Sequence, residues 1–131
     1  MRRLALIAGF VGLAVTPASA TEWINCSAAS EAASFNLLVG SGGALSIAGL
    51  TITAGKAAWA SDAAYGPGKA VSVGQAFEDS DTIRVDAVDA NDARVAELRL
   101  FTADDADGMG VYGGTLRVGE QGVWPVSCSG P

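Results

Sequence analysis

Ten of the chain's 14 acidic side chains fall between Glu78 and Asp107: Glu78, Asp79, Asp81, Asp86, Asp89, Asp92, Glu97, Asp104, Asp105 and Asp107. Carboxylates at this density can do two kinds of chemistry. One is calcium binding, since Asp105-Ala106-Asp107-Gly108 is a D-x-D-G fragment of the kind found in calcium loops. An EF-hand loop ends on a glutamate at its twelfth position, and counting from Asp105 that position is Leu116. The other is glycoside hydrolysis, which places two carboxylates about 5–10 Å apart across a substrate. No pair in the pattern is marked as buried. Most of these acids punctuate alternating apolar segments, where Asp and Asn side chains accept hydrogen bonds from their own backbone. Solvated hairpin turns are therefore the expected role of the cluster.

Other chemistries are excluded by residue type. The chain has no histidine, so it cannot build a Ser-His-Asp triad, a Cys-His pair or a histidine metal site. Gly66-Pro67-Gly68-Lys69 lacks the spacing of a phosphate-binding loop. The formal charge of -6 argues against nucleic acid, which attracts a basic footprint. Cys26 and Cys128 do not have the Cys-x-x-Cys spacing of a redox pair. They are expected to form a structural disulfide closing a loop of about 100 residues, with a chain-entropy contribution of ~4.7 kcal/mol. No cofactor is expected.

Residues 1–20 have the pattern of a secretory signal peptide. Arg2 and Arg3 supply the basic start, and residues 4–15 form an apolar run of 12 residues. That run is too short to span a bilayer about 30 Å thick. Ala18-Ser19-Ala20 gives the small-residue cleavage pattern, with the cut expected between Ala20 and Thr21. Export places the cysteines in an oxidising compartment, periplasmic or extracellular. Residues 21–131 then form a single domain, with no stable membrane span after cleavage. Six basic side chains remain against 14 acids, a net charge of -8.

The elements that must hold these residues are strands. Apolar residues alternate in 34–39, 83–87, 96–100 and 112–118, separated by Gly, Asp and Asn clusters. In 45–54 the alternation changes parity at Gly49, which predicts a β-bulge or a tight turn. Val71, Val73 and Phe77 are expected to share the inner face with Gln75, unless a bulge turns Gln75 to solvent. Residues 27–33 are the one helical candidate, as a single turn or an irregular lead-in. Trp124, Val126 and Cys128 share a face, and Pro125 on the other parity must avoid a ladder partner. The expected fold is all-β: a small antiparallel β-barrel or sandwich of six to eight strands, closed by one disulfide between the terminal segments.

Arg84, Arg99 and Arg117 lie opposite the expected core, on the side of Asp86 and Glu97. Cross-strand ion pairs there contribute roughly 0.2–1 kcal/mol each. Trp59, Tyr65 and Lys69 sit around a Gly-Pro-rich loop and form the expected contact surface. The general plan, with its signal peptide, small β domain and long-range disulfide, resembles that of small periplasmic lysozyme inhibitors. The likeness is one of plan. Ser41-Gly42 is followed by Gly43-Ala44-Leu45 without a tyrosine, and Lys69 by Ala70, so no site residue carries over. The expected function is a non-enzymatic protein-binding or inhibitor module of the cell envelope. An acidic chain suits a basic envelope or cell-wall protein as its partner. The alternative is a small-molecule carrier with an apolar pocket inside the barrel.

Overall fold

The computed structural model describes residues 20–41 and 45–131. The expected signal peptide up to residue 19, and Gly42-Gly43 of the first glycine turn, lie outside the described residues. Alternation makes strands of almost everything else: β1 (Thr21–Ser27), β2 (Ala33–Gly40), β3 (Ile47–Ala54), β4 (Ala57–Ala60), β5 (Lys69–Ala70), β6 (Ser72–Glu78), β7 (Thr82–Val88), β8 (Arg94–Asp104), β9 (Gly110–Val118) and β10 (Gly122–Ser129). They form one sheet in the order β5-β4-β3-β2-β1-β10-β9-β8-β7-β6, curled into a nearly closed all-β barrel. β3 and β6 approach each other across the closure. Among the described residues no helix is long and apolar enough to cross a membrane.

Ten strands replace the expected six to eight, for two reasons. β1 has only Ile24 and Cys26 as inward apolar residues, too short an alternation to stand out in the sequence. β5 is two residues long and exists through its pairing with β4, which is parallel because the loop after Ala60 carries the chain back to the same end. The other eight pairings are antiparallel. The helical candidate at 27–33 is a 3-10 turn at Ala29–Glu31, closed by the Glu31 amide donating to the Ala28 carbonyl at 3.1 Å.

Inward residues of seven strands fill the barrel. Phe35, Leu37, Leu50, Ile52, Val85, Leu98 and Leu116 have no exposed surface, and Trp59, Tyr112 and Trp124 pack against them. Burying each large aliphatic side chain contributes roughly 1.5–3 kcal/mol. The parity change at Gly49 is a bulge: Leu38 pairs with Gly49 and Val39 with Ile47, leaving Ala48 unpaired. A second bulge corrects the expected inner face of β6. Register passes from Val73 opposite Ala87 to Gln75 opposite Asp86, skipping Gly74. Gln75 and Phe77 therefore lie on the outer face, and Phe77 is 49% exposed. Gly74 is required by close approach, since a Cβ there would stand 2.5 Å from Val88 Cγ1.

The first and last strands meet at the centre of the sheet. β1 and β10 pair through only three positions, Asn25 with Ser129, Cys26 with Cys128 and Ser27 with Ser127. Cys26 and Cys128 are bonded across the middle pair, with Cα atoms 4.0 Å apart. Pro125 lies on the part of β10 beyond this pairing, opposite Thr115 of β9. The disulfide thus staples the shortest central seam and closes a 102-residue separation. Replacing both cysteines by serine should lower stability by about 2–5 kcal/mol. Urea unfolding of the oxidised protein and the double variant measures it, and equal midpoints would contradict the assignment.

Candidate functional site

Hairpin chemistry sets the geometry at the barrel's ends. In the β6–β7 turn, Asp79 Oδ1 accepts from the Asp81 amide at 3.1 Å, the Thr82 amide at 2.8 Å and the Thr82 hydroxyl at 2.7 Å. In the β7–β8 turn, Asp89 Oδ1 accepts from the Asn91 and Ala93 amides at 2.8 and 3.0 Å. In the β8–β9 turn, Asp105 Oδ1 accepts from the Asp107 and Met109 amides, both at 2.9 Å. The first aspartate of each turn thus spends an oxygen on its own backbone. Gly108 completes the third turn at φ +78°, a backbone conformation that favours glycine. Among the described residues no three potential ligand side chains converge on a metal position.

The first and third of these turns lie at the same end of the barrel, because two antiparallel strands separate them. The Thr102 amide joins them by donating to the Asp81 carbonyl at 2.8 Å. That end gathers Glu78, Asp79, Asp81, Asp104, Asp105 and Asp107. Two adjoining clefts open there, of about 250 Å³ and 150 Å³, and share Glu78, Ile83 and Tyr112. Glu78 and Asp104 flank the larger cleft, while Ile24, Val39, Leu45 and Ile83 give the smaller an apolar lining. The Tyr112 hydroxyl donates to the Pro131 carbonyl at 3.1 Å and so ties the chain's last residue to this rim. Among the described residues no lysine or arginine lines either cleft or lies in the two turns. The result is an acidic rim above an apolar floor.

The residues expected to form a contact loop are divided between two surfaces. Trp59 packs against the core and is the register partner of Lys69, which is exposed on β5. Tyr65 stands over Gly49, where a Cβ would strike its ring, and meets Trp23 edge-on with ring centroids 5.7 Å apart. Trp23 and Tyr65 border a polar depression of about 270 Å³ with Asn25, Asn36 and Thr51. Thr21 is the first residue of β1, and the carbonyl of Ala20 before it accepts from the Ser41 amide at 3.1 Å. Sequence reasoning flagged the acidic turns singly and missed their convergence. The available signal was strand count: turns two strands apart share an end.

The expected charge pairing on the outer face of β7–β9 is present. Arg99 Nη1 lies 2.8 Å from Asp86 Oδ1, Arg94 Nη1 is 2.8 Å from Glu97 Oε1, and Arg117 Nε is 3.3 Å from Glu97 Oε2. Arg84 has no ion-pair partner among the described residues.

At the acidic end, the Thr82 hydroxyl and the Asp81 and Thr82 amides stabilise the charged form of Asp79, holding its pKa below the ordinary aspartate value. The associated stability is complete well above pH ~3.9 and is lost as pH falls through the lowered native value. Carboxyl NMR titration should give Asp79 a midpoint below that of unfolded aspartate. Thr82→Val should move it back upward, and an unmoved midpoint would refute the cause assigned.

Compared with known proteins, the chain matches no family model, no curated protein and no solved structure, so the site stands on its own geometry.

Proposed function

We propose that this is an exported, periplasmic or secreted, non-enzymatic protein-binding module of inhibitor type. Its acidic end would receive a basic loop of an envelope or cell-wall protein. The observation that carries this reading is a cleft lined by Glu78, Asp79 and Asp104, with Asp81, Asp105 and Asp107 in the adjoining turns and no lysine or arginine among the described lining residues. Acids crowded together repel one another and weaken the fold, and a cationic partner relieves that repulsion. The same field accelerates encounter with a basic surface. Ile83, Ile24 and Leu45 beneath the rim offer apolar contact for the stem of an inserted lysine or arginine.

Export is supported by the signal-like pattern of residues 1–20 and by a disulfide of the kind that persists in oxidising compartments. The non-enzymatic part rests on the chemistry the chain lacks: no histidine, and both thiols joined to each other. The side chains that fill the interior favour a surface role over a carried small molecule.

Lysozyme serves as a basic cell-wall-directed probe for titration calorimetry. The expected result is saturable binding that weakens steeply as salt is raised past the Debye regime of about 10 Å at 0.1 M. Glu78→Lys with Asp104→Lys should abolish it, and Lys56→Gln in the turn after β3 should leave it intact. Binding indifferent to salt and to the double reversal, or no binding to lysozyme and to a basic periplasmic protein fraction alike, would overturn the proposal.

A further inference from the structure

The outer side of β6–β9 departs from the acidic character of the chain. All four arginines beyond residue 20 gather there, against Asp86 and Glu97. Three of them are held by those carboxylates. Arg84 is not, and register sets it directly opposite Arg99 on β8. Like charges facing each other across a ladder destabilise a sheet. On its other flank Arg84 faces Phe77 of β6. Phe101, 72% exposed, stands opposite Thr82, one same-face position along β7.

Asp86 adds a second irregularity. It is 5% exposed and lines the groove beside Arg84. Arg99 Nη1 is close to its Oδ1, yet that nitrogen donates to the Leu98 carbonyl at 2.9 Å and the Val85 carbonyl at 3.5 Å. Asp86 Oδ1 is buried and held by this charge contact, with no proton aligned on it. An unpaired cation facing a cation and two phenyl rings in water are unexplained by folding. Arg84, Asp86 and Phe77 meet in one groove of about 240 Å³ that Gln75 and Arg99 complete; Phe101 is not part of its lining.

We propose that this groove binds an N-acyl amino-acid carboxylate with an apolar side chain, the chemistry of a peptide's C-terminal residue. The Arg84 guanidinium takes the carboxylate through its planar fork. Arg84 and Asp86 lie two residues apart on one face of β7, about 7 Å. That spacing lets the ligand's amide N–H, next to its carboxylate, donate to the Asp86 carboxylate where it lines the groove. The apolar side chain lies against Phe77. The groove is separate from the acidic end, so this inference goes beyond the proposed function and fails or stands independently of it.

The test titrates N-acetylphenylalanine, its carboxamide and the tripeptide Ala-Ala-Phe into the isotope-labelled, oxidised protein. Backbone amide and arginine Nε–Hε resonances are followed by NMR. The acid should give saturable shifts confined to β6–β8, and the carboxamide should bind at least about tenfold more weakly. Arg84→Gln should lose about tenfold or more, and Phe77→Ala, which keeps the cation, about threefold. Arg84→Lys, which keeps charge but not the fork, should fall between wild type and Arg84→Gln, and supplies the comparison if the glutamine variant fails to fold. Tripeptide shifts at the same residues with tighter binding identify a peptide terminus as the source; weaker binding identifies a free N-acyl amino acid. Equal affinity for acid and carboxamide, shifts at the acidic end instead, no saturable shift, or wild-type binding by the arginine variants would each overturn the assignment.

Discussion

The structure depends on a three-pair seam between β1 and β10, bonded through Cys26 and Cys128. On one side of it the sheet runs outward through β2, β3, β4 and β5, and on the other through β9, β8, β7 and β6. Every other long pairing joins strands close together in the chain, so each half can assemble from local hairpins. The seam joins segments 102 residues apart. Closing so large a loop carries a high entropic cost, and three pairs of backbone partners offset little of it. The covalent bond removes most of that cost from the unfolded chain. Once the halves are joined, their inward faces share a single core, and β3 reaches β6.

Placement of charge follows from this closure. A meander of antiparallel strands sends alternate turns to opposite ends. The acidic turns after β6 and β8 must therefore share one end, while the turn between them, after β7, goes to the other. Backbone needs keep aspartates in these turns: Asp79, Asp89 and Asp105 all satisfy amides of their own loops. Their neighbours Glu78, Asp81, Asp104 and Asp107 accumulate beside them, and the barrel wall concentrates the field around the cleft. The arginines occupy the wall instead, at outward positions where long side chains can lie along the sheet and reach Asp86 and Glu97. The molecule thus has an acidic end and a cationic flank, although its net charge is negative.

Two bulges show where alternation alone misleads. At Ala48 the bulge keeps Leu50 and Ile52 inward after the parity change, and Gly49 marks it in the sequence. At Gly74 the bulge turns Phe77 outward, against the hydrophobic pattern that would bury it. Exposed phenyl rings beside arginine are the composition enriched in interaction surfaces.

Composition and local periodicity determined the all-β class, the disulfide, the outward arginines and the turn role of the aspartates. These follow from short-range rules: side-chain alternation, turn chemistry and the pairing of two cysteines in a chain that has only two. Only the tertiary structure decided the number of strands, because β1 and β5 owe their conformation to neighbours rather than to their own pattern. It also decided which turns meet, which aromatic residues face water and which arginine lacks a partner. Those properties depend on register across strands far apart in sequence. A one-residue bulge reverses every side chain that follows it, and at Gly74 that shift brought Gln75 and Phe77 to the groove beside Arg84.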